Sequence, residues 1–547
     1  MKKFPLLLGL LLTLASTHAQ FVAEYASEGH NMRYTAIAKR NGNYIAAGTE
    51  AKHIVISEIR PNGVLVRSTY LYVEDDAVEQ PVKSLIVDSD GFIVIAGYRD
   101  PVNLTATKAY VLKYDWVMDT VVWSQVFDDA GTNFFKILEK SPGGNYLVSG
   151  MVRTVGLEIH SVLIEVDRNL GSWSFLDVSS HDPFNDTYYA MGKSGSNIYL
   201  AGRQQFSGGS ADKMRNTVTK LDNTGNVLFN YAYLRDTADY ARLYGADIIV
   251  QAKKFITLAC GGGNTLSTAR DLYAVCAGIN GKVKWSNYYD ITSTTLDGMW
   301  LSIKPYGSNY LIAGSMYNPN DPLGYGQGGK MFVLYVDTYG QIIWANTYEI
   351  YSDHYYYLGH TDMLIVDGDH FVLAGNVRNP VTNKFHAVVL KAPVIDGVLP
   401  DGCSEPLDVN VIPDNIFRQY ANLYDAAETF GAVTVDAPIL DADAYNYETY
   451  CVPPELTDAE YARTASAGNM QIISPVHQQV TYLLPVEKQQ SATVAIYTLQ
   501  GACVQMQSVE VDQVNAISID DLPTGTYIIV VQLADGSKRW NETFVVM

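Results

Sequence analysis

Short apolar runs that end in a glycine recur along most of the chain. The clearest of them is Asn309-Tyr-Leu-Ile-Ala-Gly314. Similar runs, each opening near an aromatic or aliphatic residue, occupy residues 43–48, 92–97, 146–150, 198–202, 255–261 and 371–375. Their closing glycines lie roughly 50–60 residues apart, a period typical of repeat arrays and propellers rather than of several unrelated domains.

The pattern around Gly314 predicts four strands in one repeat unit. Strands are predicted at 299–304, 310–314, 331–336 and 341–348, with turns at 307–309 and 337–340. The turns carry Gly, Asn and Asp, which tolerate the backbone angles that tight turns demand. The unit is therefore predicted to be a four-stranded antiparallel meander.

Counting such units predicts the fold. They cover residues 34–80, 82–133, 134–186, 187–241, 242–297, 298–357 and 358–396, and the last has only three strands. Residues 21–25 resemble the final strands 123–127 and 285–289, so the N-terminal strand is predicted to complete the last unit and close the ring. The expected fold is all-β, a seven-bladed β-propeller over 20–396, with an open solenoid as the alternative.

Residues 397–452 depart from the repeat. This acidic extension is predicted to contain a short helix at 415–429, and Cys403 and Cys451 bracket it, so we expect a disulfide between them. Cys260 and Cys276 are predicted to lie about 10 Å apart on adjacent strands. A disulfide needs Cα atoms within about 7 Å, so these two are expected to be buried thiols. Residues 453–470 are interpreted as a linker.

Composition and the N-terminus indicate an exported protein. The net charge of −20 argues against a nucleic-acid partner, which needs a basic surface. Lys2 and Lys3, an apolar core at 6–14 and small residues up to Ala19 are typical of a signal peptide over 1–19. That core is too short for a membrane anchor, and no transmembrane span is expected.

The last part of the chain alternates apolar and polar positions, which predicts a small immunoglobulin-like β-sandwich over 471–547. Several of its residues also form a recognisable pattern, namely Gly501, then Leu522-Pro523-x-Gly525-x-Tyr527, then Lys538 and Arg539. This pattern resembles the C-terminal sorting domain of type IX secretion substrates. One departure is Ser474-Pro475, where members usually carry Asn-Pro.

The resemblance implies a secretion route. It implies Sec export, handling by the type IX machinery, removal of the sorting domain near residues 465–470 and, in many members, attachment to surface lipopolysaccharide. The expected location is therefore the medium or the outer-membrane surface. An immunoglobulin-like module that stays in the mature protein is the alternative.

Several motifs that suggest chemistry have a simpler explanation. Residues 324–329 match G-x-G-x-x-G but lie between two predicted strands, without the helix that a phosphate loop needs. The turns at 88–91 and 367–369 lack the distal Glu of a calcium loop. The group formed by Asp353, His354, His360 and Asp362 has no known metal-site spacing. We expect no cofactor and no metal.

The strongest site prediction is geometric. The long loops at 99–108, 153–160, 203–216, 262–270, 316–330 and 378–384 all follow a second strand, so they are predicted to open on one face of the propeller. Candidate binding residues on this face are Arg99, Arg153, Arg203, Arg378, Phe135, Tyr188, Tyr189, Trp300 and Tyr356. The alternative is that the rings pack into the ends of the blades.

Two functions follow from this organisation. The first is a surface-displayed binding module for a glycan, peptide or protein. The second is a propeller enzyme, either a hydrolase or a quinone-dependent oxidoreductase. Because propellers host many activities, the fold alone does not decide between them.

Overall fold

The computed structural model describes residues 20–450 and 471–546, apart from stretches between strands. The chain divides into two units, Met1–Val452 and Pro453–Met547. All regular structure in the described residues is β-strand, so the predicted all-β class is confirmed.

Most strands of the first unit follow one another in groups of four, here called blades. The N-terminal strand β1 (Phe21–Ser27) precedes them. Blade 1 contains β2 (Met32–Arg40), β3 (Asn43–Glu50), β4 (His53–Ile59) and β5 (Leu65–Leu71). Blade 2 contains β6 (Val82–Val87), β7 (Ile93–Arg99), β8 (Lys108–Asp115) and β9 (Thr120–Phe127). Blade 3 contains β10 (Asn133–Glu139), β11 (Tyr146–Arg153), β12 (Ile159–Val166) and β13 (Trp173–Ser180).

The remaining blades follow the same order. Blade 4 contains β14 (Asp186–Ser194), β15 (Asn197–Gln205), β16 (Met214–Leu221) and β17 (Val227–Arg235). Blade 5 contains β18 (Arg242–Gln251), β19 (Lys254–Gly262), β20 (Arg270–Gly278) and β21 (Val283–Ile291). Blade 6 contains β22 (Thr295–Leu296), β23 (Ser302–Tyr306), β24 (Asn309–Tyr317), β25 (Lys330–Val336) and β26 (Ile342–Tyr348), with β22 and β23 sharing the inner position. Blade 7 contains β27 (Tyr355–Tyr357), β28 (Leu364–Asp367), β29 (His370–Arg378) and β30 (Phe385–Pro393), with β27 and β28 inside.

Blade 7 is completed by the first strand of the chain. β1 pairs antiparallel with β30, with Ala23 opposite Val389. The inner strand of blade 1 meets blade 7 through the Ile37 amide, which donates to the Asp362 carbonyl at 2.8 Å. The Asn376 side chain also bonds the Tyr34 backbone, accepting from its N–H at 2.8 Å and donating to its carbonyl at 2.9 Å. The described sheets therefore form a closed, propeller-like ring, in which β1 covers the edge of β30 that would otherwise be free.

The core of this unit lies between neighbouring blades. One buried cluster, for example, combines Ile45 and Ile54 of blade 1 with Ile95 and Leu112 of blade 2. Each strand therefore has apolar side chains on both faces, which explains the near-continuous apolar runs in the sequence.

The recurring glycine of the repeat has a steric cause. Most inner strands carry a β-bulge near their start, for instance between Phe134 and Lys136 in β10. The bulge brings the inner strand close to the second strand, and a Cβ built on Gly150 would lie 2.1 Å from the Asn133 carbonyl oxygen. Gly48 meets the Arg33 carbonyl oxygen in the same way, at 1.7 Å. The glycine that marks the repeat in sequence is thus the residue that makes room for the bulge.

Tyrosines of several outer strands donate hydrogen bonds beyond their own blade. Tyr233 and Tyr289 donate to the carbonyl of a turn glycine in the following blade, at 3.1 and 2.8 Å, and Tyr348 donates to the carbonyl of Gly397, in the turn just after blade 7, at 2.7 Å. Tyr25 of β1 does the same to Gly63 of blade 1 at 2.7 Å. The N-terminal strand therefore supplies both the missing outer strand and its interblade hydrogen bond.

Removing these hydroxyls is expected to affect two sites unequally. Tyr25→Phe should lower the free energy of unfolding by about 1–2 kcal/mol, because the Gly63 carbonyl would lose the donor that it has among the described residues. Tyr289→Phe should cost only about 0.5–1 kcal/mol, because the Asn287 side chain also donates to Gly340 O, at 3.0 Å. Urea unfolding of both variants measures the difference. Equal losses of unfolding free energy in the two variants would show that the second donor to the Gly340 carbonyl makes no difference.

Within the first unit, the segment after the last blade runs along the outer strands of all the blades. Its seven described strands are β31 (Ser404–Pro406), β32 (Val409–Pro413), β33 (Ile416–Tyr420), β34 (Tyr424–Asp425), β35 (Ala432–Thr434), β36 (Ile439–Leu440) and β37 (Tyr445–Tyr450). They pair antiparallel with the outer strands of blades 6, 5, 4, 3, 2, 1 and 7, in that order. We call residues 404–450 the belt. It adds a fifth strand to every blade and covers the outer edges.

The belt corrects one prediction and extends another. The helix predicted at 415–429 is wrong, because the described residues there form β33 and β34. The exposed outer edge of each blade offers unpaired backbone groups, and pairing with them favours extended chain over a helix. Cys403 and Cys451 stand at the two ends of the belt. The Cys403 sulfur is disulfide-bonded, whereas Cys451 lies outside the described residues, so their pairing stays a prediction.

The inner pair of cysteines agrees with the predicted register. Cys260 lies opposite Leu272 on β20, and Cys276 lies further along that strand, opposite Ile256. Cys276 is a free, buried thiol, as predicted.

The second unit forms two antiparallel sheets. One contains β38 (Gln471–Val476), β39 (Gln479–Leu483) and β42 (Val514–Ser518). The other contains β40 (Gln490–Thr498), β41 (Cys503–Val511), β43 (Gly525–Leu533) and β44 (Arg539–Val546). Val494, Ile496, Ile529 and Val531 are buried, so alternate residues of β40 and β43 supply its core.

Candidate functional site

The predicted arginines lie at one end of their blades. Arg99, Arg153 and Arg378 are the last residues of β7, β11 and β29, and Arg203 lies near the end of β15. The antiparallel register puts the start of each inner strand at the same end, with Tyr188 opposite Gly202. Most of the loop residues that these second strands lead into fall outside the described residues, as does Trp300.

Three of the predicted residues meet at the junction of blades 3 and 4. Phe135 and Tyr189 are the extra residues of the β-bulges in β10 and β14. Their ring centroids are 5.2 Å apart. The Arg203 guanidinium lies 5.6 Å from the Tyr189 ring centroid, and its side chain is half-buried. A bulge re-aims the residue it inserts, which brings side chains of two blades together here.

Burial favours a packing role for the predicted rings. Phe135, Tyr188, Tyr189 and Tyr356 are each no more than 6% exposed. The Tyr188 hydroxyl, for example, lies 3.2 Å from Thr219 Oγ1 inside blade 4. These rings therefore support the end of the blades, which is the alternative that the sequence left open.

The other arginines are also engaged in packing. Arg99 is buried. The Arg378 guanidinium donates to Asn383 Oδ1 and lies 5.7 Å from the Phe385 ring centroid. The side chain of Arg153 is outside the described residues. Arg203 is thus the predicted arginine that the structure joins to other predicted residues.

Next to Arg203 lies a buried amide that lacks hydrogen bonds. Gln204 is 1% exposed, and neither its Oε1 nor its Nε2 has a hydrogen-bond partner among the residues that the structure describes. Its Cα lies opposite Asp186 on one side and Arg215 on the other. An unpaired buried amide lowers stability by roughly 1–3 kcal/mol, and most native proteins avoid it. The sequence prediction missed this residue because nothing in a single glutamine shows how its amide is paired.

A second group of polar residues lies on the ring axis. Lys136 of β10 forms an ion pair with Asp362, whose other oxygen accepts a hydrogen bond from Ser84. Ser84 in turn accepts from the Ile137 amide at 3.1 Å. All three polar side chains are buried. Burial lowers the pKa of Lys136, the Asp362 and Asp247 carboxylates raise it, and the net direction is upward.

Two more charged residues belong to this axial group. Asp247 of β18 is buried and accepts from the Ile303 amide at 2.9 Å. Burial raises the pKa of Asp247, although the nearby Lys304 and Lys136 oppose that rise. Burial lowers the pKa of Lys304, and the Lys136 ammonium lowers it further.

The axial group borders a cavity of about 330 Å³. Its walls come from the inner strands of blades 1, 2, 3, 6 and 7 and are mostly aliphatic. The wall residues are Ile37, Ala38, Leu85, Ile86, Val87, Ile137, Leu138, Leu364 and Ile365. Lys39, Lys136, Lys304 and Asp362 supply the polar lining. Apolar walls with a few convergent polar groups are typical of ligand sites.

Two aspartate turns that resembled calcium loops hold cations of the chain itself. Asp88 lies 3.0 Å from Arg168 Nη2 and 3.5 Å from Lys113 Nζ, and accepts from the Tyr146 hydroxyl at 2.6 Å. Asp367 pairs with Lys39 and accepts from the Tyr44 hydroxyl at 2.6 Å. Both aspartates therefore join neighbouring blades. In the described residues, no group of three or more His, Cys, Asp or Glu is arranged to hold a metal ion.

The sorting pattern maps onto the second unit. Gly525 opens β43, Tyr527 is buried, and Arg539 opens β44 opposite Gln532. Leu522 is half-buried, whereas Gly501, Pro523 and Lys538 are outside the described residues.

Residues 474–547 match the family model of the secretion system C-terminal sorting domain. The resemblance noted from the sequence is thereby confirmed for this unit, and such a tail directs export to the cell surface or to the medium. No helix in the described part of the chain has the length and hydropathy that a bilayer crossing requires.

Solved structures similar to the chain are distant. The phage phi92 endosialidase has 8% identity and a TM-score of 0.38, and the match covers 96% of this chain and 87% of that one. A GH43 endo-arabinanase from Bacillus licheniformis has 13% identity and a TM-score of 0.31, over 57% of this chain and 96% of that one. The WD40 domain of SCAP from fission yeast has 9% identity and a TM-score of 0.32, over 72% and 93%. No curated protein matches the chain.

Proposed function

We propose that the first unit is an exported binding module for a glycan, peptide or protein. In this proposal residues 1–19 direct Sec export and are removed, the propeller spans 20–396 and the belt region 397–452, and residues 453–470 link them to the sorting domain. The type IX machinery then removes residues 471–547, and the mature protein is released or attached to surface lipopolysaccharide.

The unpaired amide of Gln204 is the observation that carries the binding role. Its Oε1 and Nε2 are buried and have no partner in the described part of the chain, beside Arg203 at the end of the blades where the long loops begin. A ligand that brings one donor and one acceptor would complete both hydrogen bonds. Peptide amides, sugar hydroxyls and acetamido groups all supply this pair. The Arg203 guanidinium adds a charged donor at the same place.

One substitution at Gln204 is expected to have opposite effects on stability and on binding. Gln204→Leu is expected to raise the free energy of unfolding by about 1–2 kcal/mol, because it removes an unsatisfied polar group. The same variant is expected to bind the ligand at least about tenfold more weakly, because two hydrogen bonds are lost. Thermal unfolding and binding to glycan, peptide and matrix-protein arrays measure the two effects on the mature chain.

Gln80 provides the matched control. It is also a fully buried glutamine, but its Oε1 accepts from the Val73 amide at 2.6 Å and its Nε2 donates to the Val73 carbonyl at 3.3 Å. Gln80→Leu should therefore destabilise the protein by about 1–3 kcal/mol and leave binding by the folded fraction unchanged. The proposal fails if Gln204→Leu destabilises like Gln80→Leu, or if arrays that bind the wild type bind the Gln204 variant equally.

The arrays also address the enzyme alternative. Tight binding without chemical change of the bound glycan or peptide supports the module. Cleavage or oxidation of an array compound would instead favour a hydrolase or an oxidoreductase, and it would overturn the proposal.

A further inference from the structure

One lysine of the axial cavity has no ion-pair partner among the described residues. Of the three lysines that line it, Lys39 pairs with Asp367 and Lys136 pairs with Asp362. The third is Lys304 of β23, and no residue in the described part of the chain makes a hydrogen bond or ion pair with its Nζ. Its side chain is half-buried.

The surroundings of Lys304 do not compensate its charge fully. Asp247 and Asp362 attract the ammonium, but among the described residues neither forms an ion pair with it, and Asp362 is already paired with Lys136. The Lys136 ammonium repels it, and burial and this repulsion together lower the pKa of Lys304. An anion beside Nζ would remove that imbalance.

The remaining walls specify what the anion is attached to. Ile37, Leu85, Ile137 and Leu364 are buried aliphatic residues of four different blades, and all of them line the cavity. To a ligand, these walls present only aliphatic carbon, without hydrogen-bonding groups. Water gains few hydrogen bonds there, whereas an apolar group is favoured.

We propose that the axial cavity binds a small monocarboxylate with an aliphatic body, whose carboxylate pairs with Lys304. A monoanion fits because a single ammonium is unpaired, whereas a phosphate would need further donors that the aliphatic walls do not provide. A small molecule fits because about 330 Å³ is at the lower end of the usual size of ligand pockets. This site is separate from the one at Gln204, on residues of other blades.

A series of fatty acids tests the proposal on the full mature chain. Calorimetric titration with butyrate, hexanoate and octanoate should show affinity rising about fourfold for each added CH2, the increment expected when aliphatic carbon leaves water. Octanol has the same body without the carboxylate and should bind at least about tenfold more weakly than octanoate, because it forms no ion pair.

Two lysine variants identify the anchor. Lys304→Met keeps the length of the side chain and should weaken octanoate binding at least about tenfold while leaving octanol binding unchanged. Lys193→Met is the matched control, because burial also lowers the pKa of Lys193 but its side chain borders a different cavity, of about 240 Å³. Octanoate binding should be unchanged in that variant. Equal octanoate binding by wild type and Lys304→Met would overturn the proposal, as would the absence of octanoate binding to the wild type.

A measurement on the unaltered protein covers the case in which Lys304→Met does not fold. Lys304 should be methylated by formaldehyde and borohydride, and saturating octanoate should slow its methylation at least about tenfold while Lys193 stays reactive. Mass spectrometry of peptides reads both sites. Equal methylation of Lys304 with and without octanoate would show that no carboxylate pairs with it.

Discussion

Lys136→Met is expected to lower the free energy of unfolding by about 3–5 kcal/mol, which is the usual effect of breaking a buried ion pair on one side. The reason is the Asp362 carboxylate, which would stay buried on the ring axis with only the Ser84 hydroxyl as a described side-chain partner. Urea unfolding at neutral pH measures the loss.

A double-mutant cycle separates the pair from general damage to the axis. Asp362→Asn alone should also destabilise strongly, because the Lys136 ammonium loses its partner. The variant carrying both substitutions should recover much of the loss, because no uncompensated charge remains. If the two effects simply add, the ion pair does not hold these blades together.

Replacing both Cys403 and Cys451 by serine is expected to lower the free energy of unfolding by about 4 kcal/mol. The predicted disulfide closes a loop of roughly 50 residues, for which the loss of chain entropy in the unfolded state gives a figure of this size. The belt strands are only two to six residues long, as in β34 (Tyr424–Asp425) and β37 (Tyr445–Tyr450), so each by itself holds the belt weakly. Thermal unfolding of the variant under oxidising conditions measures the effect.

The free thiol provides the control for that experiment. Cys276→Ala removes a buried thiol without changing chain connectivity and should cost much less than the double serine variant. Limited proteolysis should cut the belt of the double serine variant faster than that of the wild type, because detachment of the short strands is no longer opposed. Unchanged stability together with unchanged proteolysis would show that Cys403 and Cys451 are not joined.

The repeat could be predicted from the sequence because the glycine that marks it has a local structural cause. The glycine opposite the bulge, Gly150 for instance, is required by one close backbone approach, so it recurs in most blades. The belt gave no such signal. Its strands pair only with the edges of blades, as Ile439 does with Leu71, and they need neither internal alternation nor a turn of their own.

The two candidate sites also differ in how far the sequence predicts them. Loop position predicted that Arg203, Phe135 and Tyr189 share one face, and the structure brings them together. The axial group combines Lys136 and Lys304 with aspartates of other blades, and these residues are separated by more than fifty positions along the chain. A lysine inside one apolar strand predicts a buried charge but not its partners, because the ring closure that places them is a long-range property.

The position of β1 sets the order in which the ring can be completed. This strand lies between β30 and β37, so its partners are among the last residues of the first unit to be synthesised and exported. Contacts between such distant parts of a chain form slowly. Until residues 385–450 have been synthesised, β1 lacks both of its partner strands and the ring cannot close. The connectivity of the first unit therefore makes ring closure a late step in its folding, after nearly all of its strands have been synthesised.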